Sequence, residues 1–160
     1  MSAFEKWSVL ISSLLTGLTG LLYLWMKYLL EPAEPWAVIN HPLQPWLLKA
    51  HIVVAPLLVF AIGMITLRHV WRHFRSGMRW GWRTGITSGL AVVPMVMSGY
   101  FIQGITSPGW LQGMAIAHIV VSVVYLLAVS VHAVVLTPRY PTAAPLERAV
   151  RRPKVPAKRR

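Results

Sequence analysis

Four long apolar runs, separated by short breaks of different character, set the pattern of this chain. The first, 7–26, is twenty residues bounded by Lys6 and Lys27, enough for about 30 Å of helix and one membrane crossing. A cleaved signal peptide is the other reading of that run. It is longer than a usual signal core, however, and no small-x-small cleavage site leads from it into a polar chain. The second run, 46–68, is interrupted only by Lys49, His51 and Pro56, and the proline predicts a kink rather than an end. The third, 84–105, carries Pro94, and the fourth, 110–136, is stopped by Thr137 and Pro138. Between the first two lies 31–45, whose four prolines (Pro32, Pro35, Pro42, Pro45) rule out a continuous helix. The break 68–83 has five arginines, two histidines and three tryptophans, the composition of a basic loop anchored at a membrane surface. Ser107, Pro108 and Gly109 make the last turn. The pattern predicts an all-α membrane protein, an up-and-down four-helix transmembrane bundle over 1–138, followed by a basic, proline-rich tail at 139–160 that is expected to be disordered.

Composition narrows the chemistry. Apolar residues make up 56% of the 160 positions, with eight tryptophans and no cysteine. The missing cysteine removes disulfides, thiolate metal sites, iron–sulfur clusters and covalently attached c-type haem together. Aspartate is absent, and the four glutamates (Glu5, Glu31, Glu34, Glu147) fall outside the apolar runs, which argues against a carboxylate proton relay in the membrane. The net charge of +12 is a topology signal, not a nucleic-acid footprint. Lys6, the five arginines of 68–83 and eight Lys or Arg in the tail lie on one side of a four-span chain, against Lys27 and Lys49 on the other. Both termini are therefore expected to be cytoplasmic. The tail, with Arg151, Arg152, Lys154, Lys158, Arg159 and Arg160, is expected to meet anionic lipid headgroups.

Against that background the histidines stand out. The stretch 84–138 has no Asp, Glu, Lys or Arg across fifty-five residues, yet it holds His118 and His132. An ionisable side chain in such a segment is a functional hypothesis that needs a partner. Fourteen residues separate the two, about 21 Å of rise and about 40° short of four turns, so both face roughly one way. The second and fourth spans run in the same direction, which allows depths to be compared. His51 and His118 lie about 7 and 12 Å from the outer interface, His69 and His132 about 34 and 33 Å. Two pairs emerge, on helices expected to face one another across the bundle. Haem iron between each pair would have both axial positions filled, an arrangement that favours electron transfer. In the third span Gly85 and Gly99 repeat the fourteen-residue spacing, accompanied by Gly89 and Ser98, and the first span offers Gly17 and Gly20. These small residues are expected to clear the ring faces of the haems; simple helix packing, as in Gly85-x-x-x-Gly89, is the alternative.

These features together, over about 7–136, resemble the four-helix membrane b-type cytochromes: the haem-bearing half of cytochrome b of bc complexes, and the small cytochrome b subunits of bacterial hydrogenases and dehydrogenases. The resemblance implies two non-covalent b-type haems with His51, His118, His69 and His132 as axial ligands. It also implies a multi-pass place in a bacterial inner membrane and electron transfer between the quinone pool and a redox partner within a larger complex. An outer c-type cytochrome or iron–sulfur protein is the implied partner. Two departures qualify it. Ile65, not a histidine, stands fourteen after His51, which leaves His73 competing with His69 as the inner ligand. The chain also lacks the helices that complete a bc-type quinol pocket, so a quinone remains a cofactor of the resemblance without residues to hold it here. Anionic haem propionates make Arg68, Arg72 and Arg83 partner candidates at the inner level and Lys49 at the outer, if these are more than topology charges. Trp46, Trp71, Trp80, Trp82 and Trp110 are expected to be interfacial anchors, and His41 a loop histidine. The competing functions are a transporter or channel subunit, for which Ser122, Tyr125 and Ser130 furnish a sparse polar path between His118 and His132, and a structural scaffold.

Overall fold

The computed structural model describes residues 2–32, 34–76 and 81–136. Helix α1 spans Ala3–Tyr28 and starts four residues before the predicted run because Ser2 and Glu5 form a capping box. The Ser2 hydroxyl accepts from the Glu5 amide at 3.1 Å and the Glu5 carboxylate from the Ser2 amide at 2.8 Å, so two otherwise orphaned amides are satisfied. At the other end, the proline-rich loop folds back as a cap. The Asn40 side-chain amide donates to the Lys27 and Leu30 carbonyls at 3.1 and 2.8 Å. Gln44, the first residue of α2 (Gln44–Ile65), is buried and accepts from the Asn40 amide at 3.1 Å.

Beyond α2 the outcome differs from the expected basic loop. A π-turn, Thr66–Val70, continues directly into α3, Trp71–Ser76. Arg, Trp and His tolerate helix well, and no glycine or proline intervenes before Gly77, so nothing local ends the helix earlier. Gly81, at φ 72, makes the left-handed turn into α4, Trp82–Gly104, a conformation that favours glycine. Helix α5, Pro108–Leu136, starts on the predicted turn itself, with Pro108 in the first helical position where its missing N–H costs nothing. The tail 139–160 lies outside the described residues.

The partners of each helix fix the topology. Glu5 meets Arg68 and the Thr16 carbonyl meets His51, so α1 and α2 form one antiparallel hairpin. Met95 and Ser98 meet His118 and Thr84 meets His132, so α4 and α5 form another. The two hairpins join at mid-length. There the Ser13 and Tyr125 hydroxyls bond at 2.8 Å, and Leu58 of α2, Ala91 and Met95 of α4 and Tyr125 of α5 form one buried layer. The result is an up-and-down bundle with the start of α1 and the end of α5 at the same end.

Polarity is inverted relative to a water-soluble bundle. On α1, Ser12 and Ser13 are 6% and 5% exposed while Leu14 is 67% exposed. All four long helical segments are long and apolar enough to cross a membrane, and with hydrocarbon outside there is no gain in hiding leucine. Small and polar residues therefore take the interface, where they pack closely and bond to one another. Leu58, at 2% exposure, and Met95 are larger apolar side chains buried in the central layer all the same. Leu58→Ala is expected to lower stability by about 2–4 kcal/mol, read as an earlier thermal unfolding midpoint in detergent.

Candidate functional site: two imidazole pairs between the hairpins

The four histidines meet as two pairs, His51 of α2 with His118 of α5 and His69 of the π-turn with His132 of α5. His51 and His118 have ring centres 6.2 Å apart with planes at 84°. His69 and His132 repeat this with 6.2 Å and 81°. The inner α2 member is thus His69; the side chain of its competitor His73 lies outside the described residues. The π-turn Thr66–Val70 contains His69. Its widened coil packs more residues into a given length than an α-turn, which draws His69 back toward the level of His132. This is one physical reason that eighteen residues on α2 match fourteen on α5.

The rings of His51, His118 and His132 are each held from their own hairpin. The Nδ1 of His51 is 3.0 Å from the Thr16 carbonyl and 3.2 Å from the Thr19 hydroxyl. The Nδ1 of His118 is 2.9 Å from the Met95 carbonyl and 3.2 Å from the Ser98 hydroxyl. The Nδ1 of His132 is 3.1 Å from the Thr84 hydroxyl. Since a carbonyl only accepts, Nδ1 of His51 and His118 carries the proton, which fixes the tautomer and leaves Nε2 as the lone-pair nitrogen. A carbonyl bonded to one ring nitrogen is the usual support for an imidazole whose other nitrogen binds a metal.

The glycines serve this same contact. A methyl at Gly20 would stand 2.9 Å from Cε1 of His51; at Gly99, 3.2 Å from Cε1 of His118; at Gly85, 3.2 Å from Cε1 of His132. Their nearest neighbour is the imidazole of the adjacent helix in the same hairpin. Gly17 faces Leu126, and Gly89 faces open space, so the Gly85-x-x-x-Gly89 packing motif does not operate as a pair. Three cradles share one signature, a hydroxyl residue followed by glycine: Thr19-Gly20, Ser98-Gly99 and Thr84-Gly85. The same dipeptide also occurs at Thr16-Gly17 and Ser88-Gly89, whose glycines meet no histidine, so it alone does not single out Thr19 and Thr84. Fourteen residues before Thr19-Gly20, where a fourth cradle would fall, α1 carries Glu5-Lys6.

The charged candidates are placed differently from one another. Arg68 Nη1 lies 3.5 Å from Glu5 Oε1, with the arginine 77% and the glutamate 10% exposed; the carboxylate predicted to lie outside the spans is thus buried in the first turn of α1. Arg83 and Arg72 are exposed on α4 and α3. Lys49 sits over the Trp46 ring at 4.8 Å, and the Nδ1 of His41 accepts from the Leu43 amide at 3.1 Å as part of the loop turn. Among the described residues no group of three or more His, Asp, Glu or Cys converges, so each level offers a pair of imidazoles.

No known protein family, curated protein or solved structure matches the chain. The cradle geometry makes its own prediction. Gly20→Ala, which forces the His51 ring to move, is expected to cost about 1–3 kcal/mol in thermal stability. Gly104→Ala, with nothing within 4 Å of the added methyl, should leave the unfolding midpoint unchanged or raise it slightly.

Proposed function

We propose that this chain is a di-haem b-type cytochrome subunit that carries electrons within the membrane. The observation that carries this reading is the repeated spacing of 6.2 Å between opposed imidazoles. A metal–nitrogen bond of about 2.0 Å and about 1.1 Å from that nitrogen to the ring centre, taken on both sides, come to about 6.2 Å. An edge-on contact between two bare rings also falls within about 4.5–7 Å. Repetition favours the metal: the same distance and nearly the same angle recur at two levels, with Nδ1 of His51, His118 and His132 bonded within its own hairpin. Two nitrogens per level suit the two axial positions of a macrocycle-bound iron and fall short of the four ligands of a structural zinc site.

On this reading His51 and His118 hold the outer haem and His69 and His132 the inner one. Bound haem supplies one-electron redox chemistry with no open iron position for substrate. The chain's own residues orient the rings, through the Thr16 and Met95 carbonyls and the Thr19, Ser98 and Thr84 hydroxyls, and keep the cleft apolar. Arg83 and Arg72, exposed at the inner end, are the candidates for the inner propionates, whereas Arg68 is shared with Glu5. Both termini face the cytoplasm of a bacterial cell, with the outer haem toward a redox partner such as a c-type cytochrome or an iron–sulfur protein. The quinone pool is the proposed source or sink at the membrane.

Purified protein is expected to contain close to two b-type haems per chain, low-spin in both oxidation states. Rings crossed at 84° and 81° should give ferric signals of the strongly anisotropic kind in electron paramagnetic resonance. His51→Ala or His118→Ala should remove one haem and spare the other, and His69→Ala or His132→Ala the converse. A folded sample supplied with haem during expression and containing none would overturn the assignment. Because the chain has no cysteine, single replacements report topology cleanly. Ser107→Cys should react with an impermeant thiol reagent from outside intact cells, and Arg160→Cys only after the cells are opened.

A further inference from the structure

We infer that the Tyr125–Ser13 hydrogen bond is a positioning latch that sets the width of the cleft for both histidine pairs at once. The inference rests on the haem-binding reading above. Tyr125 lies seven residues from His118 and seven from His132, about 10 Å of rise in each direction and within about 20° of the same helix face. It therefore stands between the two levels on the side of α5 that faces the other hairpin. Its ring is 3% exposed, in one layer with Leu58, Ala91 and Met95, and its hydroxyl meets Ser13, itself 5% exposed, at 2.8 Å.

The latch joins the two frameworks that hold the rings. Ser13 is one helical turn from Thr16, whose carbonyl bonds His51. Met95, whose carbonyl bonds His118, belongs to the same buried layer as Tyr125. Within each hairpin the helices pack along their length, but between hairpins the bond lies at the centre, so its loss lets both ends of the cleft open together. A hydroxyl left alone in hydrocarbon has no water to turn to. The fraction of molecules with a binding-competent cleft falls, and apparent affinity falls by that same fraction at each level. Interhelical bonds in membranes contribute modestly, which corresponds to an effect of about three- to tenfold.

Tyr125→Phe removes the hydroxyl and keeps the ring, so the buried layer stays filled. The test measures haem loss to excess apomyoglobin from Tyr125→Phe combined with His132→Ala, which reports the outer site, and with His51→Ala, which reports the inner. Loss is expected to be about three- to tenfold faster in both backgrounds, with Ser13→Ala reproducing it and adding little on top of Tyr125→Phe. The ferric resonance of the haem that remains should also shift, a change that lower stability alone would not produce. Ser98→Ala is expected to act on the outer site only. Unchanged haem loss in either background, with wild-type protein holding two haems, would overturn the latch and leave the cytochrome reading intact. Wild-type protein that binds no haem would overturn both.

Discussion

An imidazole inside a membrane has to be satisfied from within the protein, and the bundle is arranged around that constraint. Water is not available at this depth, so each ring nitrogen needs a partner or a metal. One nitrogen of His51 and of His118 is engaged by a helix carbonyl and a hydroxyl of the neighbouring helix. Those helix carbonyls come within reach of a ring only where the helices lie very close together. Glycine at positions 20, 85 and 99, each beside an imidazole edge, is what permits that approach. The glycines, the hydroxyls and the histidines are thus one device, repeated in both hairpins.

The same constraint explains where the bundle is tight and where it is open. Each hairpin is closely packed along its length because its interface carries the cradles. The hairpins themselves are linked at the midplane, by Ser13 and Tyr125 and by the layer around Leu58, while the levels above and below are occupied by opposed rings. At both ends the opposed rings stand with centres 6.2 Å apart. A water-soluble bundle would fill such levels with apolar side chains. Here leucines face outward instead, as Leu14 does beside buried Ser12 and Ser13, because lipid is as good a solvent for them as the core.

The inner end differs from the outer in ways that carry chemical consequences. His69 arrives on a π-turn, a widened coil that often marks functional positions, and α1 presents a buried carboxylate, Glu5, at the place where a hydroxyl and glycine would repeat. Its contact with Arg68 at 3.5 Å puts a paired charge at the level of the inner histidines. The outer cradle contains only neutral groups. The two histidine levels therefore sit in different electrostatic surroundings.

Much of this was determined by the sequence alone. The four spans, the up-and-down order and the pairing of His51 with His118 and His69 with His132 follow from run length and from 1.5 Å of rise per residue, quantities that tertiary structure barely alters. The capping box was legible as Ser2-x-x-Glu5 ahead of an apolar run, and the continuation to Ser76 as the lack of glycine or proline before Gly77; the π-turn was not visible, because no residue type marks it. Nor did the spacing of glycines say what they face. Gly85 and Gly99 repeat the histidine interval, but that they stand against the His132 and His118 rings depends on the rotation of α4 against α5. The Ser13–Tyr125 bond joins residues 112 positions apart. A contact between two helix faces depends on how each helix is turned about its axis, and no periodicity within a single helix contains that angle.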